Sequence, residues 1–210
     1  MRPREDPDRI LRSALRVFAQ YGFKKATLDD IAAELGMTKG NLYRYARNKQ
    51  DLYRATVASA LERWQMRVRS AIEAQADPRI QFDTMCLTAV SYLADDDDLR
   101  RLLVRDPDIF PLFADDDPYA SINRRSVDVI RRILKAGVDG GSFRPVDVDV
   151  VAETIFSIYK MFVIRMYIRS RDPSVLEVVQ KTVDLITRGL FVSAAVPADQ
   201  PHPNEERSHE

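Results

Sequence analysis

Along most of this chain apolar residues return every three or four positions, and no segment alternates apolar and polar residues long enough to make one face of a strand. That periodicity makes the expected fold class all-α. Over residues 6–21, Ile10, Leu11, Ala14, Leu15 and Phe18 share a helical face; Asp6 is placed to cap it, Pro7 suits the first helical position, and Gly22 supplies a left-handed stop. Thr27 opens a second helix carrying Leu28, Ile31, Ala32 and Leu35 on one side, and Gly36 ends it after two turns. Thr38 caps a third helix over 39–45. Asn48 and Asp51 have the spacing of a capping box at the head of a long fourth helix, 49–76, which Asp77 and Pro78 close. Further helices are expected over 80–93, 99–104, 120–136, 147–168 and 173–192.

Composition narrows the functions such a bundle can have. The 210 residues are 45% hydrophobic and 30% charged, enough apolar surface for a core without covalent staples. The single cysteine, Cys86, cannot close an intrachain disulfide, and the charged, proline-containing start has no apolar stretch of the kind a signal peptide needs; the expected compartment is the cytoplasm. The only two histidines, His202 and His209, fall in a C-terminal stretch without apolar periodicity, 195–210, expected to be disordered. A histidine-based triad, a Cys-His pair and a histidine-ligated zinc are therefore excluded. The seven glycines form neither a phosphate-binding loop nor a dinucleotide fingerprint. The acidic runs 95–98 and 115–117 lack the glycine and glutamate of a calcium loop and read as helix-start charges. No enzyme, no metal and no cofactor is expected.

Thirty-two basic and 32 acidic side chains cancel, but unevenly: residues 1–54 hold 12 Lys and Arg against 7 Asp and Glu, a net of +5, leaving −5 for the remainder. The basic front coincides with the two short helices joined through Ala32, Glu34, Leu35, Gly36 and Met37. The small Ala32 permits close approach, Gly36 permits a sharp turn, and the second helix can project side chains into a major groove. Its residues, Thr38, Lys39, Gly40, Asn41, Tyr43, Arg44 and Tyr45, are polar and aromatic beyond what scaffolding needs. Asn41 and Arg44 suit base edges, Tyr43 and Tyr45 suit phosphates, and Thr27 with Lys25 and Lys49 stand at two helix starts able to receive phosphate. A turn of this kind also occurs in plain three-helix scaffolds.

More than the turn matches a known pattern. Ala14, Phe18 and Gly22, then Thr27 with Ile31 and Ala32, then Gly36-Met37-Thr38-Lys39-Gly40-Asn41-Leu42-Tyr43, then Lys49 and Leu52 resemble the N-terminal domain of the tetracycline-repressor (TetR) family of bacterial transcriptional regulators. The resemblance covers roughly the first quarter of the chain. Ala46 departs from it, since an aromatic usually stands there, and Phe23 or Tyr45 is expected to refill the space. The segment 133–147, with Gly141-Ser142-Phe143-Arg144-Pro145-Val146-Asp147, also looks like the turn before the penultimate helix of such regulators.

The resemblance implies a helix-turn-helix DNA-binding domain over 1–48 and a helical effector-binding and dimerisation domain over 49–194. It implies a homodimer whose recognition helices enter successive major grooves of a near-palindromic operator, about 34–36 Å apart. It further implies a small-molecule effector that moves the fourth helix and releases DNA. The residues alone point to pairing as well. The stretch 154–168 is apolar on nearly every face and too short to span a bilayer, and Val178 and Leu185 lie off the inner face of the last helix, so the helices near 147–168 and 173–192 are the expected homodimer contact. Candidate effector contacts are Trp64, Phe82, Met85 and Phe110, together with Phe113, Tyr119, Phe156 and Tyr159. Met66, Cys86 and Met161 are further candidates, and core packing explains most of these equally well. The alternative function is a ligand or protein adaptor that keeps the fold without binding DNA.

Overall fold

The computed structural model describes residues 6–109, 117–168 and 173–191. Among them the elements are α1 (Pro7–Lys25), α2 (Leu28–Glu34), α3 (Lys39–Leu42), α4 (Lys49–Glu73), α5 (Pro78–Asp95), α6 (Asp97–Arg105), α7 (Ala120–Asp139), α8 (Val148–Ile168) and α9 (Pro173–Leu190). A 3-10 turn, Pro107–Ile109, follows α6, and the only extended pairing among the described residues is one bridge between Phe143 and Phe191. The fold is all-α. None of the described helices is long and apolar enough to cross a membrane.

Side-chain caps set most boundaries. Asp6 accepts from the Asp8 N–H at 3.0 Å, Asp77 from Arg79 at 2.8 Å, and Asp96 from Leu99 at 2.9 Å. Asp96 thus gives one acidic run the helix-start role its sequence suggests. Asp117 does the same for the other, taking the Tyr119 N–H at 2.8 Å and the Asn123 amide at 2.7 Å; Asp115 and Asp116 lie outside the described residues. Gly22 has φ 75°, so α1 proper ends there and a further turn follows, closed by the Ala26 N–H on the Gly22 carbonyl at 3.0 Å.

Two boundaries and one cap differ from expectation in ways the hydrogen bonds explain. α3 stops at Leu42 rather than 45, because the next N–H groups fall back on nearer carbonyls, Arg44 on Asn41 and Tyr45 on Leu42, which tightens the chain into 3-10 geometry. α5 starts at Pro78 rather than 80, since Asp77 caps it and proline fits its first turn. Asn48 caps α4 by accepting from Asp51 N–H at 2.8 Å, but the Asp51 carboxylate takes the Arg47 guanidinium at 2.9 Å and does not return to Asn48, so only half of the capping box forms.

In the packing, α1 lies across α4 and α6, α5 bridges α4 and α7, and α8 backs α7 and α6. One apolar cluster runs from Ile10, Phe18, Ile31 and Leu42 through Leu52 and Trp64 to Leu99, Leu102 and Ile109. The 48/49 boundary therefore coincides with a helix cap while the core continues across it, with α4 as the shared member. A second cluster joins Phe82, Ile130, Leu134, Phe143 and Phe156. Its corner is the 141–147 turn: Phe143 stacks on Phe191 at 5.0 Å, and Arg79 donates to the Ser142 carbonyl at 3.0 Å while lying over the Phe191 ring. A Cβ on Gly137 would come within 2.1 Å of the Phe143 ring, so the approach of this turn to α7 requires glycine.

Candidate nucleic-acid interface and ligand cavity

The turn between α2 and α3 is fixed by backbone chemistry. Gly36 adopts φ 65°, the Met37 N–H reaches back to the Ala32 carbonyl at 2.9 Å, and the Gly36 N–H reaches Ala33 at 3.0 Å, the two bonds of a Schellman stop. Ala32 is buried in the close helix approach and Met37 packs half-buried on the front core. At the other end of α2, Thr27 and Asp30 cap each other: the Thr27 hydroxyl oxygen accepts the Asp30 N–H at 3.1 Å, and the Asp30 carboxylate accepts the Thr27 N–H at 2.9 Å and its hydroxyl at 2.7 Å. The Thr27 bonds hold the Asp30 carboxyl below its ordinary range.

α3 hangs on one side chain. Leu42 is 1% exposed and inserts into the front core, which turns Thr38, Lys39, Gly40, Asn41, Tyr43 and Arg44 to the outside. Thr38 caps the helix through the Asn41 N–H. Lys39 is anchored to Asp29 of α2 at 2.8 Å, and that carboxylate raises the pKa of its ammonium. Tyr43 and Lys25 are exposed on the same domain. Tyr45 is set apart from these: half-buried, it packs against the front core together with Phe23 and Ala46. Phe23 lies 4.8 Å from the Tyr53 ring and 6.4 Å from Phe18.

Lys49 and Thr27 are engaged differently from what their positions suggest. The Lys49 ammonium donates to three carbonyls at the end of α1, those of Phe23 at 2.8 Å, Ala26 at 3.0 Å and Lys24 at 3.3 Å, and sits over the Phe23 ring. A lysine ammonium has three N–H groups, so a phosphate would have to compete with this internal clamp. The Thr27 hydroxyl is likewise directed into its own capping box rather than outward.

Behind the front domain, α4, α5, α7 and α8 enclose a cavity of about 100 Å³. Trp64, Met85, Cys86, Phe156 and Tyr159 line it, five of the candidates drawn from sequence. Phe82 does not: it is fully buried, packed edge-on against Phe143 and Phe191. Tyr119 lies instead in a separate cleft between α4 and the end of α6. Met66 and Met161 are exposed on the outer surface, while Phe110 and Phe113 lie outside the described residues. Gln65, Asn123 and Ser126 were not anticipated as lining, since nothing in a single polar residue's spacing marks it as facing a cavity formed by another helix.

The cleft holding Tyr119 marks the junction of front and rear. There the Tyr53 hydroxyl of α4 donates to Asp106, at the end of α6, while the Tyr53 ring packs edge-on against Phe18 of α1 at 5.0 Å. Burial, then the Asp106 contact, holds the Tyr53 phenol far above its ordinary pKa, so it remains a donor.

Comparison with known proteins agrees with this geometry. Residues 10–56 match the sequence profile of bacterial regulatory proteins of the tetR family. The HTH-type transcriptional regulator YhgD of Bacillus subtilis is 22% identical over 71% of this chain and 78% of its own length. The HTH-type transcriptional repressor KstR2 of Rhodococcus jostii is 27% identical over 67% of this chain and 69% of its own. In fold, the crystal structure of the transcriptional regulator FadR from Bacillus subtilis in complex with stearoyl-CoA superposes with a TM-score of 0.72 at 18% identity, covering 88% of this chain and 99% of that one. Residues 10–56 thus match the helix-turn-helix domain of the tetR family of bacterial regulatory proteins, and the described chain shares the all-α fold of solved regulators of that family.

Proposed function

We propose that the chain is a homodimeric repressor that binds a near-palindromic operator through α3 and leaves it when a small molecule occupies the rear cavity. The observation that carries the reading is the outward run on α3, polar and aromatic side chains held clear of the core by the single anchor Leu42. Asn41 and Arg44 have the side chains that pair bidentately with adenine and guanine in the major groove, while Lys25 and Tyr43 suit phosphates. Thr38, Lys39 and Gly40 form the exposed first turn through which the backbone approaches DNA. Residues 1–48 then serve as the DNA-binding domain and 49–194 as the effector-binding and dimerisation domain. In this reading Lys49, Tyr45 and Thr27 hold the domain's shape.

Two features support the rest of the mechanism. Val150 and Met161 of α8 and Val178 and Leu185 of α9 are exposed apolar residues, and a second copy would cover them. α4 carries Lys49 and its clamp at one end and Trp64 at the cavity, about 22 Å apart along a single rigid helix, so a ligand that displaces the cavity end moves the front domain with it. One relative is a repressor and one neighbour in fold is a regulator solved with stearoyl-CoA, which supports control by a metabolite with a long apolar part.

Selection of random duplex DNA on the purified protein tests the reading. A palindrome should emerge whose affinity exceeds that of its scramble and falls steeply with salt. Replacing Asn41 or Arg44 by Ala should cost about 1–3 kcal/mol at one base position, whereas Lys25→Ala should weaken all sequences alike. Leu185→Glu should give monomers by light scattering and lose operator affinity. Enrichment of nothing at low salt would leave the adaptor function in its place.

A further inference from the structure

The polar groups around the rear cavity are unequally satisfied. Trp64 Nε1 donates to the Ala89 carbonyl at 3.0 Å, Gln65 Nε2 to the Ile122 carbonyl and Ser126 Oγ, Asn123 Nδ2 to Asp117, and Arg125 pairs with Glu62 at the exposed rim. The Tyr159 hydroxyl and the Cys86 thiol have no hydrogen-bond partner among the described residues, although both line the cavity. The Tyr159 ring is held in place, 5.8 Å from Trp64 and 6.1 Å from Phe156, so its hydroxyl is a preorganised group and not a loose one. Burial raises the Tyr159 phenol well above its ordinary pKa and pushes the Cys86 thiol up to about 12; at neutral pH both are uncharged donors. The remaining lining is almost wholly apolar, with Leu61, Val68 and Ile130 among it.

A ligand that fits this arrangement must satisfy two conditions. A carboxylate placed beside Tyr159 would be stripped of water with no cation to meet it, since the cavity's arginines, Arg69 and Arg125, are exposed at its edge. A plain hydrocarbon would fill the space but leave the phenol without an acceptor. We propose that the cavity takes an uncharged, apolar molecule bearing a carbonyl or equivalent acceptor, with that acceptor bonded to the Tyr159 hydroxyl. This rests on the cavity being the effector site of the proposed function. The volume sets the scale: a cavity of about 150 Å³ accommodates benzene. At about 100 Å³ this one is tighter than that, so even a single ring requires its helices to part slightly, and larger effectors of the class would part them further.

Trp64 is the only tryptophan, so its indole N–H gives one nuclear magnetic resonance signal from the cavity wall. Titrations of the full chain with cyclohexanone, methylenecyclohexane and cyclohexanecarboxylate, in the wild type and in Tyr159→Phe, separate the possibilities. The expected result is that Tyr159→Phe weakens cyclohexanone about ten-fold and leaves methylenecyclohexane within about two-fold, the loss of one hydrogen bond at unchanged shape. Equal effects on the two, or no effect on either, would overturn the assignment of Tyr159, as would tighter binding of cyclohexanecarboxylate than of cyclohexanone. If none of the three moves the Trp64 signal, the cavity is not the effector site and that part of the proposed function fails with it.

Discussion

The two working regions of this molecule are built in opposite ways. α3 is held by neighbours close in sequence: Thr38 caps it, Gly36 turns into it, Asp29 ties down Lys39, and Leu42 anchors it. The rear cavity has no such local logic; its walls come from α4, α5, α7 and α8, and single residues such as Gln65 and Asn123 reach it because distant helices lean together. A reading helix must present a fixed face to a rigid duplex, so short-range bonds suffice to specify it. A cavity needs helices that can separate, and packing between long helices provides that. α4 belongs to both, packing on α1 in front and on α5 and α7 behind.

The largest expected effect breaks the front alone. Leu42→Ala removes the one buried anchor of α3 and should cost about 2–5 kcal/mol in urea unfolding, with operator affinity lost beyond what the stability change explains. Its rear counterpart is Gly137→Ala, which drives a methyl into Phe143 and should cost about 1–3 kcal/mol; operator binding by the folded fraction should persist, and its loss would show that the 141–147 corner is coupled to α3.

Lys49 sharpens the comparison at the hinge between the regions. If it clamps α1 to α4, Lys49→Met should lower stability by about 1–2 kcal/mol, reduced from the usual charged hydrogen-bond value by partial exposure, and leave the salt slope of DNA binding unchanged. A phosphate ligand would instead lower that slope by about one unit with stability intact.

The smallest effect is a titration. Asp30 has a depressed pKa in the fold, so its capping contribution is complete above the ordinary carboxylate value, about 3.9, and is lost as pH falls through the lower folded value. Amide exchange at Thr27 should accelerate in that acid window, and Asp30→Asn should abolish the change.

How much of this was legible beforehand follows from the range of each interaction. The caps at Asp6, Thr27, Thr38 and Asn48, the turn at Gly36 and the outward face of α3 are written within four or five residues, and spacing alone located them. The internal partners of Lys49 leave no mark in the sequence around it, because those carbonyls lie more than twenty positions away. Phe82 and Tyr159 show the same limit from the other side: both are aromatic at helical spacing in an apolar segment, yet one is sealed in the core and the other faces a cavity with its hydroxyl free of any described partner. The early end of α3 is hidden for a different reason, since composition does not reveal where i−4 bonds give way to i−3.

The sequence by itself determined the helical class, the order of the elements and the short helix that turns polar and aromatic side chains outward, because hydrophobic periodicity, caps and left-handed glycines act over one or two turns. Only the tertiary structure decided which apolar residues enclose space and which fill it, that α4 shares one core with the front domain, and that Lys49 is committed to α1. Those outcomes depend on how long helices cross, and a contact between residues far apart in the chain leaves no local trace in either segment.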